Sequence, residues 1–124
     1  MAVKARVLLV EDNVMNLRLA EFVLERGGFD VIPAASAEEA IKIAGDLVPD
    51  IILMDMQLPG MDGLEATGRL KENPKTAGIP VVALTAHAMI GDEERFIAAG
   101  CKGYIAKPIQ TRELAATVEE FLKE

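Results

Sequence analysis

Residues 50–57 read Asp50-Ile51-Ile52-Leu53-Met54-Asp55-Met56-Gln57. The run Ile51-Ile52-Leu53-Met54 is apolar with no polar alternate. A strand with one wet face alternates; a strand covered on both faces does not, and this is the pattern of a parallel sheet held between helix layers. The run ends on a carboxylate, so the chain delivers Asp55 to the C-terminal end of a buried strand.

Working outward, Val7-Leu8-Leu9-Val10 and Val81-Val82-Ala83-Leu84 share the same texture. Strands are expected over residues 6–10, 29–32, 50–54, 81–84 and 103–106. Helical patterns fill the intervals. The first spans residues 14–26 and meets Gly27-Gly28, a stop signal. The second opens with Ser36-Ala37-Glu38-Glu39, a capping box, and places Ala37, Ala40, Ile41, Ala44 and Leu47 on one face. A short third helix follows Gly63 and stops near Asn73-Pro74. The fourth begins near Gly91-Asp92, and the fifth carries Leu114, Val118 and Phe121 at helical spacing. Five βα units in series imply an α/β fold, a five-stranded parallel sheet doubly wound with five helices. The common small version has strand order 2-1-3-4-5. No linker or repeat interrupts the chain, so residues 1–124 are expected to form one domain.

Composition excludes several function classes. A net charge of −7 opposes nucleic acid, whose phosphates must be met by Lys and Arg, and opposes an anionic membrane surface. The single cysteine, Cys101, can form neither an internal disulfide nor a Cys-rich metal site. With no signal peptide and no long apolar run, the expected location is cytoplasmic.

In a 2-1-3-4-5 sheet the winding reverses between the first and third strands, and ligands bind beyond the strand C-termini there. The residues at that point are Glu11 and Asp12 after the first strand and Asp55 after the third. Three clustered carboxylates repel one another, and a divalent cation relieves the repulsion. Oxygen-only donors suit a hard ion, Mg²⁺ or Mn²⁺. The competing reading, acids that merely cap the following helices, weakens when three of them converge. Thr85 ends the fourth strand and Lys107 follows the fifth. Acids, a hydroxyl and an ammonium form a set suited to phosphoryl transfer, which needs positioning and charge neutralisation. Asp55 is the expected nucleophile.

These motifs, Leu9-Val10-Glu11-Asp12-Asn13, Met54-Asp55-Met56-Gln57-Leu58-Pro59-Gly60-Met61-Asp62-Gly63, Ala83-Leu84-Thr85-Ala86 and Gly103-Tyr104-Ile105-Ala106-Lys107-Pro108-Ile109, resemble the CheY-like response-regulator receiver domain over essentially the whole chain. The texture is closest to single-domain receivers of the DivK type and to receivers of hybrid kinases, as at Gly91-Asp92-Glu93-Glu94-Arg95 and Gly100-Cys101. The resemblance implies a flavodoxin-like fold and a two-component or phosphorelay switch, not an enzyme acting on other substrates. It implies that Asp55 is the phosphoacceptor, with Asp12 a direct ligand of Mg²⁺, Glu11 acting largely through water, and the Gln57 carbonyl completing the shell. Thr85 and Lys107 would contact the phosphoryl oxygens, and Tyr104 would turn inward as Thr85 moves. Residues 86–90 would be the mobile loop. Gln57 and His87 flank the expected path of attacking water; no phosphate lifetime follows from the pair.

The implied partners are a sensor histidine kinase or phosphotransfer protein and a downstream protein effector, met as a monomer or weak dimer. On the first helix Arg18, Glu21 and Glu25 mark the outward face, and Leu19, Ala20, Val23 and Leu24 are expected inside. Leu17 and Phe22 then lie beside the polar face. Val14, Leu17 and Phe22, with Pro108 and Ile109, form the candidate kinase-docking patch. Two other readings are weaker. A flavodoxin would need a phosphate-cradling loop where this chain has Glu11-Asp12-Asn13, and aromatics are only 4% with no Trp. A phosphatase acting on external substrates would need a recognition cap, for which 124 residues leave little room. The start at Met1 and the end just after the fifth helix suggest a stand-alone protein that signals by contact.

Overall fold

The computed structural model describes residues 4–86 and 91–124. Its elements alternate without exception: β1 (Arg6–Val10), α1 (Val14–Arg26), β2 (Asp30–Ala34), α2 (Ala37–Leu47), β3 (Ile51–Asp55), α3 (Gly63–Glu72), β4 (Val81–Thr85), α4 (Asp92–Ala99), β5 (Gly103–Ala106) and α5 (Leu114–Lys123). The five strands form one parallel sheet in the order β2-β1-β3-β4-β5. Fold class and strand order are those expected from the apolar runs.

The lack of alternation in those runs has its cause in two separate cores. Val7, Leu9, Ile51, Leu53, Val82 and Leu84 point to one face, against Ala20 and Leu24 of α1 and Leu114 and Val118 of α5. Leu8, Val10, Ile52, Met54, Val81 and Ala83 point to the other, against Ala37, Ala40 and Ala44 of α2, Ala66 and Leu70 of α3, and Phe96 of α4. Each strand residue is therefore apolar because each faces a helix. Burying one such Leu, Ile or Val contributes about 1.5–3 kcal/mol.

Side chains of the loops set where the helices begin. Asn13 Oδ1 accepts from Asn16 N–H at 3.0 Å, Ser36 Oγ from Glu39 N–H at 3.2 Å, and Asp62 Oδ1 from Glu65 N–H at 2.9 Å. Each satisfies one of the donors that a helix start leaves open. Gly63 opens α3 directly beneath β3. A Cβ there would collide with the Asp55 carbonyl oxygen and lie 2.9 Å from Met56 Cα, so only glycine lets α3 start this close to the strand end.

Several local expectations need correction. β2 runs to Ala34 rather than stopping at Ile32, despite Pro33. It is an edge strand, and an edge tolerates a residue without an N–H. β3 and β4 each extend one residue further, so Asp55 and Thr85 are the last strand residues and not the first loop residues. Leu47 is exposed rather than on the buried face of α2; it ends the helix, where its carbonyl oxygen accepts from the Arg6 guanidinium. On α1, Leu17 is half-buried against the α1–α5 core, whereas Leu19 is 47% exposed, the reverse of the expected pair. The polar stripe misled because Glu21 is itself half-buried, which rotates the buried face toward Leu17. His87 and residues 88–90 of the expected mobile loop lie outside the described residues. No helix among the described residues is long and apolar enough to cross a membrane.

Replacing Gly63 by alanine is expected to destabilise the fold by about 1–3 kcal/mol, the usual cost of overpacking a filled site. Urea denaturation of the variant should show a lower midpoint at an unchanged slope.

Candidate functional site

The C-terminal ends of the strands place the expected site residues together. Glu11 leaves β1 immediately, and its N–H is held by the Ala34 carbonyl of β2 at 3.0 Å. Asp55 pairs in register with Leu84, so its position is fixed by the sheet itself. Glu11 and Asp55 are buried at 3% and 1% exposure, while Asp12 faces solvent. Glu11, Asp12 and Asp55 each offer a carboxylate oxygen within 4.8 Å of the others. This is a hard, oxygen-only donor set with one open side, the chemistry that fits Mg²⁺ or Mn²⁺ and not a thiophilic ion.

Two buried carboxylates this close need a counter-charge. Lys107 supplies it: its Nζ lies 2.8 Å from Glu11 Oε2 and 3.0 Å from Asp55 Oδ2. The backbone delivers this lysine, since its N–H donates to the Thr85 carbonyl at 2.8 Å, one step beyond the β4–β5 pairing. The Lys107–Pro108 peptide bond is cis. Burial raises the Glu11 carboxyl above its ordinary 4.5; Asp55 adds to the rise and Lys107 opposes it. Burial alone would pull the Lys107 ammonium down, but its contacts with Glu11 and Asp55 prevail and hold it above 10.5.

Thr85 is fully buried at the end of β4. Its Oγ1 accepts from Gln57 Nε2 at 3.1 Å. Gln57 Oε1 in turn accepts from Ala86 N–H at 3.2 Å, and Gln57 N–H donates to Asp55 Oδ1 at 2.9 Å. Tyr104, in β5, packs its ring on Phe96 of α4 with centroids 6.5 Å apart and planes at 58°. The geometry thus brings Glu11, Asp12, Asp55, Gln57, Thr85 and Lys107 to one site. Two contacts had no signal in the sequence. One is the hold of the Gln57 side chain on Thr85 and Ala86. The other is Asn16, which donates to Glu11 Oε1 at 3.3 Å from the first turn of α1 and shares the burden of orienting that carboxylate.

The surface beside this site is partly apolar. Val14 and Phe22 are exposed at 60% and 58%, and Met15 at 78%. Leu19, Asn16, Ala86, Lys107, Pro108 and Ile109 line a hollow of about 310 Å³. Leu17 does not join it, being turned into the core.

Comparison with known proteins agrees with this geometry. Residues 7–119 match the family model described as the response regulator receiver domain. The chain is 44% identical to the polar-differentiation response regulator DivK of Brucella ovis over 116 residues, 94% of each chain. Among solved structures, it is similar to the chemotaxis response regulator CheY4 of Vibrio cholerae, with TM-score 0.90 and 25% identity over 96% of this chain and 99% of that one. It is also similar to the receiver domain of a sensor histidine kinase from Pseudomonas aeruginosa, with TM-score 0.89 and 34% identity over 98% of this chain and all of the other. That structure has a magnesium ion coordinated in its active-site cleft. With a family model spanning nearly its whole length and a relative 44% identical over 94% of each chain, the chain belongs to the response regulator receiver domains of two-component signalling.

Proposed function

We propose that the chain is a phosphorylation switch in which Asp55 takes a phosphoryl group from a phosphohistidine on a partner kinase or phosphotransfer protein. The observation that supports this most directly is the Lys107 ammonium lying between Asp55 and Glu11, beside the exposed Asp12. In the transfer the P–N bond of the donor breaks, a P–O bond forms to an Asp55 carboxylate oxygen, and the leaving imidazole takes up a proton. Glu11, Asp12, Asp55 and the Gln57 carbonyl would hold Mg²⁺ or Mn²⁺, which when bound neutralises charge on the phosphoryl oxygens. Lys107 supplies a second positive charge to those oxygens, and Thr85 a hydroxyl hydrogen bond. The added negative charge draws Thr85 toward the phosphoryl group, and Tyr104 turns inward behind it. Because Tyr104 packs on Phe96, that movement biases the face of α4, β5 and α5 that a protein effector reads.

The exposed apolar residues Val14 and Phe22, with Pro108 and Ile109, form the docking patch for the donor. Leu19 takes the place first assigned to Leu17, since it lines the hollow next to Lys107. A donor side chain arriving over this patch would enter the hollow beside Lys107.

Incubation with Mg²⁺ and acetyl phosphate should give a base-labile phosphoryl adduct by intact mass. Asp55→Asn and excess chelator should each abolish it, and Lys107→Met should slow it by about 10²-fold. An equal adduct on Asp55→Asn would reject the assignment. For the patch, Leu19→Glu with Phe22→Glu should slow transfer from a phosphohistidine kinase core by about tenfold or more, while labelling by acetyl phosphate stays unchanged.

The raised Glu11 carboxyl has a definite sign in folding. The folded protein keeps that proton to a higher pH than the unfolded chain does. Its contribution is therefore fully present below the ordinary value of 4.5 and is lost as pH rises through the folded value. With chelator present, the unfolding free energy of wild type should fall relative to Glu11→Gln over that rise, and added Mg²⁺ should restore it in wild type.

A further inference from the structure

We infer that the Gln57 side chain is a latch that holds Thr85 in its resting position and sets how readily the site accepts a phosphoryl group. The inference rests on the proposed function, because it concerns the movement of Thr85 toward Asp55. Gln57 spans the mouth of the site between the end of β3 and the end of β4. The orientation of its amide is determined by its partners. Ala86 N–H can only donate, so the amide oxygen must face it; the amide nitrogen is then directed at Thr85 Oγ1. Both ends of one side chain therefore grip two successive residues, Thr85 and Ala86. The third point of attachment is the Gln57 N–H on Asp55 Oδ1, which ties the latch to the phosphoacceptor itself.

This geometry couples the two strand ends. Thr85 cannot advance toward a group on Asp55 while keeping its place under the Gln57 amide unless Ala86 moves with it or the amide lets go. Gln57 is exposed, so released amide atoms meet water, and the latch opens at the modest cost of one net hydrogen bond. A residue so placed is a positioning residue. Its side chain acts through Thr85, separately from the backbone carbonyl assigned to the metal shell.

The test uses Gln57→Met, which keeps the length of the side chain and removes both amide contacts while leaving the backbone carbonyl in place. Amide–water exchange of Ala86, followed by NMR in metal-free wild type and variant, should speed up by about fivefold in the variant. Binding of beryllofluoride with Mg²⁺ should tighten by a similar factor in Gln57→Met. That gain should vanish when Thr85→Val is added, since valine has no hydroxyl for the latch to hold. A merely structural role for Gln57 would weaken binding rather than tighten it. Unchanged Ala86 exchange, or affinity equal to or below wild type, overturns the latch. Failure of wild type itself to bind beryllofluoride would overturn the proposed function instead, and the Ala86 exchange would still decide whether the latch exists.

Discussion

Burying two carboxylates side by side is the constraint that the site end of the molecule is built around. Glu11 and Asp55 sit at the ends of adjacent central strands, nearly out of water. Without a counter-charge they would repel one another. The ammonium of Lys107 spans both, reaching them from the end of β5 across β4. Strand order, the β4–β5 register and the Lys107 backbone bond to Thr85 all serve that one placement. The exposed Asp12 leaves the third acid in water, so the cluster keeps an opening where a hard cation can enter.

The sheet and its order were legible because the cause lies in burial. A strand with a helix on each face must be apolar at every position, and Ile51 to Met54 meet that demand with one residue facing each core in turn. The positions of Glu11, Asp55 and Thr85 were legible for the same reason, since each stands one step from the end of such a run, whereas Lys107 follows the less buried edge strand β5. What was not legible depends on rotation and on side-chain reach. The turn of α1 about its axis decides between Leu17 and Leu19, and the half-buried Glu21 disguised it. The grip of Gln57 on Thr85 joins the loop after β3 to the end of β4 across a sequence separation of 28, and no local pattern announces it. Asn16 escaped notice because a polar residue in a first helical turn ordinarily has a local role.

The two cores divide the labour of the fold unequally. The core under α1 and α5 uses large aliphatic side chains, and the α1 surface above it carries the exposed apolar residues beside the site. In the core under α2, α3 and α4, the residues that α2 buries are all alanines, Ala37, Ala40 and Ala44. Phe96 is the large side chain that α4 contributes to it, and Tyr104 rests on that ring. Among the described residues, the ring contact between Phe96 and Tyr104 joins α4 to β5.

Pro33 has a consequence for how the molecule keeps company. A parallel sheet has two rims, and each offers unpaired backbone groups to any extended segment that passes. On the β2 rim, proline deletes one amide donor in the middle of the strand and fills that place with a ring. A neighbouring chain that tried to zip on there would find the ladder interrupted. The molecule is thus discouraged from growing into fibres along that rim.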